Sequence, residues 1–378
     1  MQLSHFELLK PVCPVCRAQT REPKQLILNT LVRQDTNNII EGILCCPEPA
    51  CRHEFPILDG IPVIVPQLRP IVSGWIDRIR ARDSFSESLE SLLGDCCGSG
   101  SGFDDERQRR SSYTWDHWGE FDPAINKSVG QITSPGAIAR LLKQGIDLFP
   151  KKLSTASGPG LDMGCAVGRT TYELADHLQR PVVGIDLDIS LLRRAQQIHA
   201  SGIVEYPLRR TGLAYDRHTF SVADQYSQTV KENIDFWCCD VTALPFSDNL
   251  FSFTSSLNVL DCVHSPLTAL QEIERTLEPT GRCVLASPYD WSTSATPTEA
   301  WIGGHSQRTD TKGSPATIIR QLLNSKEHPA SLHNMHLVND MKNASWQVRL
   351  HERATMNYSC DMLAIEKNTE NKQVAASI

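Results

Sequence analysis

The sequence predicts an α/β protein: a mostly parallel sheet flanked by helices, preceded by a small cysteine-rich module. Three observations carry this. First, short apolar runs recur, several ending in an acid and most followed by helical periodicity: Gly160 to Met163, Pro181 to Asp186, Phe236 to Val241, Phe251 to Ser255 and Cys283 to Ser287. Second, the first run meets a glycine turn, Gly164-Cys165-Ala166-Val167-Gly168, that opens a helix through Tyr172, Leu174 and Ala175. Third, Cys13-Pro14-Val15-Cys16 and the later Cys46 and Cys51 place two thiol pairs ahead of these runs.

The 378 residues suffice for a full α/β domain and a small second one. The net charge of −7 excludes a global field that attracts nucleic acid. No stretch reaches the length of a membrane span, so neither nucleic acid nor membrane is an expected partner. Met1 to Lys10 lacks the charged head and long apolar core of a signal peptide. Thirteen cysteines, with the neighbouring pairs Cys45-Cys46, Cys96-Cys97 and Cys238-Cys239, fit a reducing compartment better than a disulfide scaffold. The expected location is cytoplasmic.

In chain order, Cys13 and Cys16 sit on a tight knuckle, and Cys46 and Cys51 follow with four residues between them rather than two. Two thiolate pairs on separate turns suit tetrahedral zinc, and so small a segment has little core of its own without metal. Cys45 competes with Cys46 for the ligand role, and a reduced, metal-free knuckle is the alternative. Glu54 to Ile64 reads as strand, turn, strand. With the cysteines, the run Pro56-Ile57-Leu58-Asp59-Gly60-Ile61-Pro62 resembles the small zinc-binding activator subunit of tRNA and rRNA methyltransferases. That resemblance implies a structural zinc on Cys13, Cys16, Cys46 and Cys51, in a module over residues 1–66.

Residues 67–133 read as a linker and an aromatic lid segment. Ile71, Trp75, Ile76 and Ile79 fall at helical spacing. Gly94 to Ser112 is rich in Gly, Ser and charge, which predicts a linker or disordered loop with its basic run Arg107 to Arg110 solvated. Tyr113 to Phe121 is a dense aromatic cluster outside any regular pattern, either a lid over a ligand or a satellite core. Ser134-Pro135 predicts a helix start, followed by Ile138, Leu141, Leu142 and Ile146 on one face. The polar stretch Lys151 to Pro159 leaves a short first strand. Gly202 to Asn233 is a polar insertion, either a substrate-site element or a lineage-specific loop. Ser265-Pro266 caps a further helix, and Leu277 to Arg282 is the turn before the fifth strand. Trp346 to His351 and Tyr358 to Glu366 alternate as a closing antiparallel hairpin, and the last residues, 371–378, read as a frayed tail.

Asp162 precedes the glycine turn, Asp186 ends the next strand, Asp240 ends the third, and Asn258-Val259-Leu260-Asp261 follows the fourth. Dinucleotide dehydrogenases share the first two signals. Asp162 ahead of the glycines, and the lack of a third glycine packing the helix, favour another class. The full order resembles class I S-adenosylmethionine-dependent methyltransferases, with a Rossmann-like seven-stranded sheet over residues 134–370. The resemblance implies S-adenosylmethionine held by Asp162, Gly164, Cys165, Gly168, Asp186, Leu187, Asp240, Val241 and Asn258. Asp186 would take the ribose hydroxyls and Asp240 with Val241 the adenine edge. Ala166 stands where the family has a middle glycine.

Leu161 to Thr170, Ala286-Ser287-Pro288-Tyr289-Asp290-Trp291 and Thr296-Pro297 through Trp301-Ile302-Gly303-Gly304 resemble the C-terminal methyltransferase domain of ovothiol biosynthesis enzymes. That domain methylates an imidazole nitrogen of a thiol-bearing histidine. The chain lacks that family's sulfoxide synthase part. The resemblance implies a small-metabolite acceptor, an imidazole of a histidine or thiohistidine derivative. Tyr289, Trp291 and Trp301, with Trp115 of the aromatic segment, would line its pocket. Asp261, His264 and Tyr289 are the candidate catalytic residues, His264 equally a structural polar residue. His117 and His305 rank lower, since a lone histidine is usually structural. Two other classes stay open: an rRNA or tRNA base methyltransferase, which needs a basic face, and a non-catalytic activator docked on another methyltransferase. The intact aspartate set argues against the last. The sequence leaves the oligomeric state open.

Overall fold

The computed structural model describes residues 1–19, 23–80, 85–125, 134–150, 155–324 and 330–369. The first segment folds as helices α1 (Leu3–Leu9) and α2 (Pro14–Gln19), then strands β1 (Ile27–Asp35), β2 (Asn38–Cys45), β3 (Glu54–Leu58) and β4 (Ile61–Ile64). Helices α3 (Leu68–Arg80), α4 (Glu87–Cys97), α5 (Gly102–Trp118) and α6 (Ala137–Asp147) follow. The alternating part is β5 (Gly160–Met163), α7 (Arg169–Leu178), β6 (Val182–Asp186), α8 (Ile189–Ser201), β7 (Ile203–Thr211), β8 (Ala214–Ser221), α9 (Gln228–Glu232) and β9 (Ile234–Cys239). The chain continues as β10 (Phe251–Leu257), α10 (Pro266–Thr276), β11 (Leu277–Ser287), α11 (Pro315–Asn324), β12 (Met335–His351) and β13 (Ala354–Lys367).

One sheet holds eleven strands in the order β1-β2-β3-β4-β9-β6-β5-β10-β11-β13-β12. The seven from β9 to β12 are the expected sheet, with β12 and β13 as its antiparallel closing hairpin. The other four come from the cysteine-rich segment. They join because β4 runs parallel to β9, Val63 opposite Cys238 and Ile64 opposite Cys239. Further ties seat the segment: the Gln2 backbone N–H donates to Asp235 at 2.8 Å and the Arg17 guanidinium to Glu272 at 2.6 Å.

β9 shows why this edge had to be covered. Its residues are buried on both faces, Phe236 and Cys238 in one core and Trp237 and Cys239 in the other. The first core takes Leu141 of α6, Leu174 of α7 and Leu192 of α8. The second joins Leu44, Phe55 and Ile57 of the cysteine-rich segment to Trp237, Phe246 and Leu270.

Several expectations are corrected. Gly94 to Ser112 is no linker: it spans the end of α4 and most of α5. Ser101 caps α5, accepting from the Asp104 backbone N–H. The aromatic run Tyr113 to Trp118 is the last part of α5. The insertion after α8 forms a hairpin, β7 with β8, that packs on α5. The α5 stripe against this hairpin is polar, which hid its periodicity. Asp104 accepts from the Tyr215 hydroxyl at 3.0 Å, Arg107 lies 3.9 Å over the Tyr215 ring, and Ser111 accepts from the Arg209 backbone N–H. Arg107 is accordingly buried, not solvated. Gly136, not Ser134, is the N-cap of α6, and Leu277 to Arg282 belongs to β11 as an irregularity in its pairing with β10. The tail 371–378 and part of 67–133 lie outside the described residues.

Replacing Tyr215 with alanine removes the hydroxyl from buried Asp104 and the ring from Arg107. The expected cost is roughly 2–4 kcal/mol in urea unfolding. Hydrogen exchange should accelerate together in α5 and the hairpin.

Candidate functional site

β5 lies between β6 and β10, where the chain order reverses, and a crevice opens beyond the carboxyl ends of these strands. A cleft of about 580 Å³ fills it. Asp162, Gly164 and Ala166 of the first loop line it, with Asp186, Leu187 and Asp188 of the second, Asp240 and Val241 of the third, and Asn258 and Val259 of the fourth. The three aspartates expected to share a site therefore do share one.

Each aspartate is held differently. Asp162 is fully buried and accepts from the hydroxyls of Thr170 at 2.6 Å, Thr171 at 2.8 Å and Ser255 at 2.8 Å. Burial pushes its carboxyl up, and the hydroxyls pull it back. Asp186 accepts from the backbone N–H groups of Ala166 at 2.9 Å and Asp188 at 2.8 Å, one on each oxygen. Burial pushes it up to about 6. Its second lone pairs stay available to a pair of ligand hydroxyls. Asp240 uses one oxygen for the backbone N–H and hydroxyl of Thr242.

The glycine turn is shaped for close approach. Gly164 has φ +74°, and a Cβ there would meet Val259 at 2.3 Å. Gly168 has φ +89° and is the N-cap of α7, its missing Cβ leaving room for the Phe236 ring. Ala166, standing for a glycine, adopts φ +47°, a left-handed conformation that taxes an alanine. Cys165 lies buried beneath the turn, so only its backbone belongs to the loop. Asn258 has φ +57°, and its buried Nδ2 has no partner.

Helix α5 roofs the cleft. Arg109, Tyr113, Asp116 and His117 face it at helical spacing, while Trp115 and Trp118 of the same helix are core residues. The cleft-lining residues and the core residues of this aromatic run thus lie on opposite faces of one helix. The pocket-lining role expected of Trp115 does not hold, because its ring is 1% exposed. Asp116 accepts from the Ile138 backbone N–H and from the Trp346 indole at 2.9 Å, and burial pushes it up to about 6. The Trp346 ring closes the far wall.

Of the expected acceptor residues, His264 lines the cleft together with Cys262 and Val263. Asp261 sits buried behind them; one oxygen accepts from the Asp290 backbone N–H at 2.6 Å and the other has no partner. Tyr289, Trp291 and Trp301 stack on one another but do not line the cleft. Tyr289 has φ +56° and donates its hydroxyl to Asp361 at 2.8 Å, on the side of Arg320. The Trp301 indole donates to the Thr296 carbonyl. Their segment still adjoins the site, since the Thr296 hydroxyl donates to the Val263 carbonyl at 2.7 Å and Ala295 reaches the lining. Sequence reasoning missed Arg109, Tyr113, Asp116 and Trp346; the i, i+4, i+7 spacing of the first three was the available signal.

In the cysteine-rich segment, the Sγ atoms of Cys13, Cys16, Cys46 and Cys51 lie within 4.8 Å of one another, with Cys13 3.8 Å from Cys51 and Cys16 3.5 Å from Cys46. Cys45 turns aside and donates to the Cys46 carbonyl.

Residues 155–335 match a family model described as a methyltransferase domain. No curated protein matches the sequence. Among solved structures, a protein of echinomycin biosynthesis that converts a disulfide bond into a thioacetal group shares 14% identity over 76% of this chain and 95% of its own, with a TM-score of 0.41. The MccD protein shares 12% over 62% and 99%, with a TM-score of 0.38. A complex of the Haloferax volcanii Trm112 methyltransferase activator with a methyltransferase shares 14% over 62% and 93%, with a TM-score of 0.37. At these levels none bears on what this chain acts on.

Proposed function

We propose that this chain is an S-adenosylmethionine-dependent methyltransferase, a reading that the match of residues 155–335 to a methyltransferase domain supports, and that it methylates an imidazole nitrogen of a small histidine or thiohistidine derivative. The convergence of Asp162, Asp186, Asp240 and the unpartnered Asn258 Nδ2 on one cleft supports the cofactor reading. Bound there, the cofactor supplies an electrophilic methyl group on a sulfonium. Asp186 would take the ribose hydroxyls and Asp240 the adenine edge. Asp162 would act through the turn it braces.

The protein's own task is then to align an acceptor and exclude water. A neutral imidazole is already nucleophilic and needs little base catalysis. The observation that favours a small acceptor is the roof. α5 and Trp346 enclose the cleft, and its described lining carries five aspartates, Asp116, Asp162, Asp186, Asp188 and Asp240, against Arg109 as its one Arg or Lys. A polyphosphate backbone meets repulsion there. His264 and Asp261 remain the residues proposed to orient the acceptor. Tyr289, Trp291 and Trp301 serve this reading by bracing the loop that touches Val263.

Asp186→Ala should weaken S-adenosylmethionine binding by about 100-fold or more in calorimetry, since it removes a carboxylate acceptor of charge-assisted hydrogen bonds. Unchanged affinity would place the cofactor elsewhere. Incubation with a labelled methyl donor should transfer label to one of a panel of histidine and thiohistidine derivatives. Label on RNA alone would replace this acceptor with a nucleic acid.

The four thiols are proposed to hold structural zinc. Zn–S bonds of about 2.3 Å set sulfur separations of about 3.8 Å in a tetrahedron, close to the spacings observed. Their segment supplies four strands and part of one core, so metal loss should reach beyond it. One zinc per chain is expected by elemental analysis, and stripping it with a chelator should lower the melting temperature of the whole chain. A melting curve indifferent to chelation would leave the thiols as a metal-free knuckle.

A further inference from the structure

His117 ranked low as a lone histidine, yet it is a buried polar group facing the cleft. It is 3% exposed and lines the cleft beside Tyr113 and Asp162. Its Nδ1 accepts from the Arg169 backbone N–H at 3.3 Å, which is the first N–H of α7. An accepting Nδ1 puts the ring proton on Nε2. Nε2 has no hydrogen-bond partner among the described residues. Burial and the neighbouring Arg169 hold the ring neutral, its pKa lowered to about 3.

The helix end that carries the ring is held in place. The Arg169 guanidinium bonds the His117 carbonyl, pairs with Glu120 and Glu173, and lies 4.4 Å over Phe121. The Trp118 indole donates to the Val167 carbonyl at 3.0 Å. Both contacts lock the end of α5 to the glycine turn.

The other donors of the cleft are mostly spent. The backbone N–H groups of Gly164 and Cys165 go to the Ile185 carbonyl, that of Ala166 to Asp186, and that of Gly168 to the Cys165 carbonyl. The Thr170 hydroxyl serves Asp162 and the Trp346 indole serves Asp116. Arg109 pairs with Glu106 and Asp188 through its terminal nitrogens, while its Nε has no partner. S-adenosylmethionine brings a carboxylate into this acidic cleft. The side-chain donors in the lining open to it include His117 Nε2–H beside Asn258 Nδ2 and Arg109 Nε, and of these only the His117 ring is both neutral and set against the start of α7.

We propose that His117 binds the carboxylate of the cofactor's amino acid part through Nε2–H, and that the Arg169 backbone N–H positions it by fixing its tautomer. The imidazole then relays the N-terminal N–H of α7 to the anion, each hydrogen bond polarising the next. A neutral donor also avoids an ion pair with the surrounding aspartates.

The test reads binding alone and needs no acceptor, so it stands or falls apart from the imidazole reading. Calorimetry on the full chain compares S-adenosylhomocysteine with its decarboxylated analogue. His117→Phe keeps a ring and removes the donor, and His117→Gln keeps an N–H. The preference for the carboxylated ligand should fall by about tenfold or more in His117→Phe, as for a hydrogen bond to a charged group. It should stay near the wild-type value in His117→Gln, with the analogue bound equally by all three. Should His117→Phe unfold, His117→Leu is read in the same way. A preference unchanged by loss of the donor, or lost equally in His117→Gln, overturns the proposal. Nitrogen NMR of labelled histidine should show Nε2 protonated near neutral pH; an Nδ1–H tautomer overturns the positioning role of Arg169.

Discussion

The carboxylate of Asp162 is the constraint from which the site is built. Its three hydroxyl partners belong to different elements: Thr170 and Thr171 to the first turn of α7, Ser255 to β10. One buried anion thereby fixes the central strand, the helix after the glycine turn and the neighbouring strand. An unpaired carboxylate at that depth costs several kcal/mol, so the hydroxyls are obligatory. With these three elements pinned, the turn presents Gly164 and Ala166 to the cleft. Asp186 then closes the second loop by holding the Ala166 N–H.

This explains why the aspartate side of the cleft was legible. Asp162, Asp186 and Asp240 sit at strand ends, where a run of apolar residues stops at an acid. Strand ends depend on local pattern, and the parallel sheet turns that pattern into a shared crevice. The segment after β11 obeys no such rule. Tyr289 and Trp291 follow β11 in sequence, but a left-handed Tyr289 directs its ring to Asp361. Direction at one φ angle is not written in residue type.

The largest misreading, Gly94 to Ser112, has one physical cause. Helical periodicity is recognised through apolar residues, and the buried stripe of α5 carries Asp104, Arg107 and Ser111 instead. Their partners, Tyr215 and Arg209, lie on the hairpin that the sequence offered only as a polar insertion. Two segments without a hydrophobic signature satisfy each other's polar groups, about a hundred residues apart. Neither is readable without the other. Together they carry the roof of the cleft, and this is why the roof residues were missed with them.

The sheet edge shows the converse case, in which two legible parts fuse. The cysteine-rich segment and the parallel sheet were each visible, yet their pairing through β4 and β9 was not. β9 is apolar on both faces, and the end of a parallel sheet leaves such a strand with one unpaired edge. β4 is the shortest strand of its segment and fully buried between β3 and β9. The same strand that β4 pairs with ends just before Asp240, one of the cleft's aspartates. The thiol cluster and the cleft are therefore joined through one sheet: the segment that holds the thiols reaches, through β4, the strand that delivers Asp240. The thiol cluster is in this way linked to the pocket without touching it.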